Sequence, residues 1–198
     1  MNGPEIIKGL TGAWWIITRD KRARDCFDIS AEGALRSFVA LFLSLPIIFF
    51  STTASWRIAQ SQFSFAEDIS FGLFVLAEIA SALLYWAAFL GAMMRISRML
   101  RLESGYTAWL VTYNWGSLLT TLAFAIPLIP FSLGLYSAET AVFLAMPSLM
   151  LLVWYRWQIA REVLGADKGT AFAILVFDLV LSLSIDQVLG MLLIPGSA

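Results

Sequence analysis

The sequence predicts an all-α protein, a transmembrane bundle of five helical spans with the N-terminus in the cytoplasm and the C-terminus outside. Three observations support this fold class. Sixty per cent of the 198 residues are hydrophobic and only 14 % are charged, whereas soluble domains contain about 45 to 50 % apolar residues. Five windows are long and apolar enough to cross a hydrocarbon core of roughly 30 Å, which takes about 20 residues. The Lys and Arg residues lie almost entirely on one side of these windows.

This distribution of basic residues predicts the orientation. Of the thirteen Lys and Arg residues, twelve fall in the N-terminal segment, in alternate loops or at the span ends that face them, and only Arg57 lies on the other side. Cytoplasmic loops retain Lys and Arg during membrane insertion. We therefore expect the N-terminus inside and, after an odd number of spans, the C-terminus outside. Glu67, Asp68 and Glu139 then lie at the outer face.

Residues 1–33 are expected to form a cytoplasmic segment that contains a short amphipathic helix. Its apolar residues recur at helical spacing: Ile6, Ile7, Leu10, Trp14 and Ile17. Pro4 suits the first turn of such a helix, and a Trp side chain suits the headgroup region. The pattern predicts a helix that lies on the inner membrane surface. The charged stretch that follows predicts an elbow leading into the first span.

Residues 34–198 are expected to form one membrane domain. The windows that satisfy the length requirement run near 34–56, 70–94, 108–131, 138–159 and 170–194. Aromatic residues mark several of their ends, as an interfacial belt would. Too little chain remains outside these windows for a separate soluble domain.

Three acids within the spans require an explanation, because an ionisable group near the membrane centre costs about 2.5 to 3.5 kcal/mol or more. Glu78 lies roughly 12 to 15 Å from the outer end of the second span, and Asp178 roughly 12 Å from the inner end of the fifth. We expect them to share a level near mid-membrane, with Asp186 about 12 Å further outward. Two facing carboxyls would share a proton and form a candidate proton site. The alternatives are hydrogen bonds that hold helices together and an interface with another subunit.

Asn114 lies in a polar segment of the third span that is rich in small residues. Small residues let helices approach closely, and an Asn side chain can hydrogen-bond across the contact. The segment indicates a packing seam or, alternatively, a polar pocket reached from the cytoplasm. We group Asn114 with the three acids as a candidate intramembrane polar site.

Five arginines near the inner ends of the spans are candidate contacts for anionic lipid headgroups: Arg95, Arg98, Arg101, Arg156 and Arg161. Each cation near such a surface contributes about 1 kcal/mol to membrane attraction.

The composition argues against catalysis, metals and cofactors. The chain has no His and a single Cys, Cys26, so imidazole ligands, His-containing triads and multi-cysteine metal sites are excluded. No nucleophile elbow or Walker-type loop occurs, and no basic block indicates nucleic-acid binding. We expect a protein that is not an enzyme and has no cofactor.

The chain resembles the bacterial branch of the YIP (Ypt-interacting protein) family. The resemblance rests on five spans, a cytoplasmic N-terminal segment and the segment YNWGSLL at residues 113–119, which follows a basic loop. It covers roughly residues 30–194. It implies a small integral membrane protein linked to membrane organisation or trafficking, and it supplies no catalytic residues.

These observations lead to two functional hypotheses. The first is a multi-pass protein of the inner membrane that acts as a scaffold, a membrane-organisation factor or a subunit of a membrane complex. Its expected partners are membrane lipids and another membrane protein or a second copy of the chain. The alternative is a small proton-coupled transporter or channel that uses the intramembrane carboxylates.

Overall fold

The computed structural model describes residues 3–62 and 69–193, and in this part of the chain it contains helices and no strand. The α-helices are α1 (Gly3–Ile17), α2 (Ala31–Ser37), α3 (Val39–Gln62), α4 (Phe71–Met99), α5 (Glu103–Ser132), α6 (Ala138–Gln158) and α7 (Lys168–Leu193). A 3-10 turn (Lys21–Cys26) follows α1, and a π turn (Ile159–Val163) extends α6. The all-α bundle is confirmed.

Five stretches have the length and apolarity needed to cross a membrane, as predicted: Ala31–Gln60, Phe71–Met99, Glu103–Ser132, Ala138–Val163 and Lys168–Leu192. Glu67, Asp68 and the last residue of the predicted fifth span lie outside the described residues. The first stretch combines α2 and α3, which are separated only at Phe38.

Short polar side chains define where the helices begin. The hydroxyl of Ser30 accepts a hydrogen bond from the backbone N–H of Gly33 at 3.0 Å, and Ser70 accepts one from Leu73 at 3.2 Å. The carboxylate of Asp167 likewise accepts from the first backbone N–H groups of α7. Such caps satisfy donors that have no partner within the helix.

Two helices end at an arginine in the left-handed conformation. Arg19 follows α1 with φ 59° and Arg101 follows α4 with φ 57°. In each case the next residue donates its backbone N–H to the helix: Asp20 to the carbonyl of Trp15 at 2.8 Å, and Leu102 to that of Ser97 at 2.7 Å. This closing turn usually contains glycine, but a cation at a helix C-terminus is stabilised by the helix dipole.

Because consecutive spans run antiparallel, one end of the bundle brings together α1, the 3-10 turn, the ends of α4 and α6 and the beginnings of α2, α5 and α7. We call this the basic end and the opposite one the far end. The helices α4 and α5 have 29 and 30 residues, or roughly 43 Å at about 1.5 Å per residue. They therefore exceed a hydrocarbon core of about 30 Å.

Helix α5 is the centre of the fold and packs against α1, α2, α3, α4 and α6. The closest approach is at Gly116, where a Cβ atom would lie 1.9 Å from the ring of Tyr155. The Tyr155 hydroxyl donates to the backbone carbonyl of Thr112 at 2.7 Å. Only glycine lets the two helices approach this closely at that point.

Helix α1 is confirmed as a helix, and it docks on the spans. A Cβ atom at Gly9 would lie 2.4 Å from the Trp115 ring, and the indole N–H of Trp154 donates to the carbonyl of Ile17 at 3.1 Å. One face of α1 is thus buried against protein. Ile7 and Trp14, which belong to the predicted apolar face, are exposed, and their contact with a membrane surface stays a prediction.

Candidate functional site

Polar side chains cross between α4 and α7 at two levels, and we call this contact the α4–α7 seam. Nearer the far end, the hydroxyl of Ser81 donates to the carboxylate of Asp186. One turn further along α4, the hydroxyl of Tyr85 donates to the carboxylate of Asp178. The two levels differ in burial and in charge balance.

The level at Asp178 is a buried ion pair. The Nε atom of Arg156 lies 3.8 Å from Oδ2 of Asp178, and both side chains are 10 % exposed. The guanidinium carbon lies 3.9 Å from the centre of the Tyr113 ring and 5.7 Å from that of Phe89. Since a desolvated cation over an aromatic face gains about 2 kcal/mol, the rings help to hold the charge that Asp178 balances.

The hydrogen-bond network extends from this pair to a second tyrosine. The Tyr113 hydroxyl donates to the Tyr85 hydroxyl at 3.4 Å, and Tyr113 is 1 % exposed. The Nη1 atom of Arg156 is buried and has no hydrogen-bond partner among the described residues. A buried charge needs both a counter-charge and hydrogen bonds, so Arg156 depends strongly on Asp178.

This position corrects the headgroup contact expected for Arg156. The sequence places this arginine near a span end, where a long basic side chain normally reaches towards the surface. In the structure its side chain points into the bundle, where its guanidinium group pairs with Asp178 and lies over two aromatic rings. The spacing within α6 could not reveal this, since it depends on the rotation of the helix.

The other arginines of that group lie at the basic end. Arg95, Arg98 and Arg101 are exposed. Arg161 is partly buried and donates from Nη1 to the carbonyl of Ala166 at 2.7 Å, which fixes the loop before α7. Three of the five arginines thus have the exposure that a headgroup contact requires.

The structure does not bring Glu78 and Asp178 together as the facing pair that would form a proton site. The carboxylate whose charge acts on Glu78 is that of Asp186, and Asp178 is bonded to Tyr85 instead. Tyr85 lies seven residues beyond Glu78, or about 10 Å along the helix. Glu78 lies seven residues from the end of α4 at the far end, and Asp186 lies seven residues from the end of α7 at the same end, so Glu78 is level with Asp186. Distances of about 12 Å taken from opposite ends of two long spans do not place Glu78 and Asp178 at one level.

Glu78 and Asp186 are both exposed on the outside of the bundle. Within the described residues neither carboxylate forms an ion pair, and the hydroxyl of Ser81 is the side-chain donor to Asp186. The predicted carboxylates therefore divide into one that is balanced inside the chain and two that face outward.

Asn114 is completely buried between α5 and the junction of α2 with α3. Its Nδ2 atom donates to the hydroxyl of Ser37 at 2.8 Å, and Ser37 in turn donates to the carbonyl of Ala34 at 2.7 Å. Its Oδ1 atom has no hydrogen-bond partner among the described residues. These contacts are those of a packing seam, and they separate Asn114 from the carboxylates.

A cavity of about 830 Å³ opens at the basic end between the N-terminal segment, α5 and the end of α6. Its lining includes three cations, Arg19, Lys21 and Arg24, and two polar residues of the bundle, Thr112 and Gln158. In the sequence these cations belong to the charged stretch that predicts an elbow before the first span. The basic residues within 19–24 are the sequence feature from which a cationic site could have been predicted.

A second cavity, of about 680 Å³, lies along the outer side of α1. Neither cavity is lined by Glu78, Asp178 or Asp186. In the part of the chain that the structure describes, no group of three or more His, Cys, Asp or Glu residues could hold a metal ion.

A comparison with protein-family models, with curated proteins and with solved structures found no match to this chain. The resemblance to the YIP family stays a prediction.

Proposed function

We propose that this protein is a non-enzymatic subunit or scaffold of a membrane complex, which binds another membrane protein through the outward carboxylates of the α4–α7 seam. We call the surface formed by Glu78 and Asp186 the carboxylate face, and the buried Ser81 behind it donates to Asp186. The observation that supports the proposal is the exposure of two acids, without ion pairs among the described residues, on helices apolar enough to cross a membrane.

The energetic argument rests on the surroundings of these acids. An ionisable group that faces lipid is costly, and such groups usually pair with one another or line an interface. The two carboxylates of this face repel each other when both are charged. A transmembrane helix that presents a Lys, Arg or amide side chain at this level would balance them. A symmetric contact with a second copy would bring four acids together, so a different protein is the better partner.

The proposal includes an orientation in which the basic end faces the cytoplasm of a bacterial cell and the inner membrane surrounds the bundle. The distribution of Lys and Arg supports it. Labelling of Cys26 with a membrane-impermeant maleimide should then require inside-out vesicles. Burial raises the pKa of the Cys26 thiol, so the labelling should be slow at neutral pH, where maleimides remain selective for thiols. Leu135→Cys in a Cys26→Ser background, at an exposed loop of the far end, should label in intact spheroplasts.

The partner can be tested by photo-crosslinking in native membranes. A photoreactive amino acid at Leu183, which is exposed one turn from Asp186, should capture one dominant partner. The double variant Glu78→Gln and Asp186→Asn should lose this product. Glu103→Gln, which neutralises an exposed acid at the basic end, is the matched control and should retain it. A product that survives the double variant, or lipid as the only crosslinked species, contradicts the proposal.

A second candidate, a proton pathway, is favoured by one specific observation. Polar groups follow one another along a single seam, from Glu78 and Asp186 through Ser81 to Tyr85, Asp178 and Arg156. Liposomes that contain the protein should then conduct protons under an imposed pH gradient. Both Glu78→Gln and Asp178→Asn should abolish the flux. A flux equal to that of empty liposomes excludes this candidate.

A further inference from the structure

We propose that the cavity at the basic end is a binding site for the phosphate group of an anionic phospholipid. The cavity lies between the 3-10 turn, the end of α1, the first part of α5 and the end of α6. Its volume of about 830 Å³ is within the range of roughly 300 to 1,000 Å³ that is usual for small-ligand sites. This site is distinct from the carboxylate face.

The charges of the lining favour an anion. Arg19, Lys21 and Arg24 line the cavity and form no ion pair among the described residues. The lining acid Asp20 is already engaged by Arg22, whose Nη2 lies 2.6 Å from its Oδ2. Glu162 is the remaining lining acid. The cations of the lining therefore exceed its available negative charge.

An amide side chain in the cavity wall favours a specific ligand. Gln158 lines the cavity, is only 3 % exposed, and its side chain has no hydrogen-bond partner among the described residues. The amide atoms of Gln158 are not fully enclosed, and an amide N–H₂ can donate to a phosphate or ester oxygen that enters the cavity. The Thr112 hydroxyl, which also lines the cavity, donates to the carbonyl of Ala108 at 2.6 Å, so Gln158 is the uncharged side chain left to donate to a phosphate.

The rest of the lining suits an amphiphile. Ile16, Phe27 and Val163 contribute apolar surface beside the cations. Ile29, which is 58 % exposed, lies at the same cavity. Basic pockets between transmembrane helices bind anionic headgroups in this way. A lipid headgroup matches both the cationic and the apolar part of the lining, whereas a free phosphate ion would use only the cations.

The two arginines in left-handed turns supply a matched pair of variants. Arg19 lines the cavity, whereas Arg101 ends α4 in the same backbone conformation and does not line it. Glycine is favoured at a φ near +57°, so Arg19→Gly and Arg101→Gly should both fold. Each variant removes one cation from the same end of the bundle. Only the first should affect a ligand in the cavity.

The experiment measures the binding of phosphatidylglycerol to the detergent-solubilised protein by native mass spectrometry, with phosphatidylcholine as the reference lipid. We expect preferential binding of phosphatidylglycerol and a loss of about fivefold in affinity for each cation removed from the cavity, as in Arg19→Gly or Lys21→Gln. Arg101→Gly should leave the affinity unchanged. Gln158→Leu keeps the charge and should still weaken binding, which diffuse electrostatic attraction would not explain.

Competition with inorganic phosphate distinguishes the two sources of a phosphate group. Retention of phosphatidylglycerol in excess phosphate supports the lipid proposal, and displacement at equal concentration overturns it in favour of a free anion. Equal losses in Arg19→Gly and Arg101→Gly also overturn it, as does the absence of any preference over phosphatidylcholine. Thermal unfolding of each variant in detergent checks that the fold is intact.

Discussion

Asp178 and Asp186 lie on the same face of α7, two turns apart, and their surroundings differ completely. Asp178 is 7 % exposed and interacts with Arg156 and the Tyr85 hydroxyl. Asp186 is exposed, receives a hydrogen bond from Ser81 and has Glu78 as its charged neighbour. Within the α4–α7 seam, the level nearer the basic end balances its charge inside the chain, whereas the level nearer the far end presents its carboxylates to the surroundings.

The packing of buried side chains also differs between the two ends of the bundle. The largest fully buried side chains, which include Trp109, Tyr113 and Tyr155, belong to one extensive core shared by the spans and the N-terminal segment. Among the described residues, the separate cluster near the far end has four buried members: Ala59, Ile69, Phe74 and Ala77. The basic end thus contains the larger buried core, and the far end leaves more apolar surface for a partner or lipid to cover.

The largest expected effect comes from breaking the buried ion pair. Arg156→Met leaves Asp178 buried without its cation and should destabilise the protein by about 3 to 5 kcal/mol. Unfolding in detergent by titration with dodecyl sulfate measures this. The double variant Arg156→Met and Asp178→Leu should recover most of the loss, because neither charge then remains. A double variant as unstable as the single one would show that the charges themselves are not the reason.

The next effect should appear at the closest helix contact. Gly116→Ala would place a Cβ atom against the Tyr155 ring, so we expect a loss of about 1 to 3 kcal/mol from overpacking. Gly91→Ala is the matched control, since a Cβ atom there would meet nothing within 4 Å. The control should be neutral or stabilising by about 0.5 to 1 kcal/mol. Equal losses of stability at the two positions would show that the helix contact at Gly116 is not tighter than the surroundings of Gly91.

A smaller effect is expected for the hydrogen bond between Asn114 and Ser37. Interhelical hydrogen bonds in membranes contribute about 0.6 kcal/mol on average and about 1.7 kcal/mol at most. A double-mutant cycle of Asn114→Ala and Ser37→Ala should give a coupling energy within this range. A coupling energy of zero would mean that Asn114 acts through its volume alone.

The smallest effect on stability should come from the carboxylate face. Glu78→Gln and Asp186→Asn should change the unfolding free energy of the isolated protein by less than about 0.5 kcal/mol, as expected for exposed positions. The same pair of substitutions should abolish the crosslink to a partner. A large loss of stability in these variants would show that Glu78 and Asp186 stabilise the fold, as Asp178 does, and would contradict their assignment to a partner surface.

The sequence predicted those features that depend on local composition. The five spans are recognisable because apolarity over about 20 residues is a property of each window alone. The burial of Asn114 follows from small residues around it in the same helix. The ion pair of Arg156 with Asp178 was not predictable in this way, and neither were the hydrogen bonds from Tyr85 to Asp178 and from Ser81 to Asp186. They depend on the rotation of each helix about its axis, and the two hydrogen bonds join residues that are 93 and 105 positions apart.

The docking of α1 has a consequence for the synthesis of the protein. Trp154, which donates to the carbonyl of Ile17, follows it by 137 residues. At about 5 to 20 residues per second, a ribosome reaches this tryptophan roughly 7 to 30 s after it has completed α1. During this interval the helix lacks the α5 and α6 surfaces on which it finally packs. During this time we expect the apolar residues of α1 to be buried at the lipid–water interface. After α5 and α6 have inserted, α1 can pack against them.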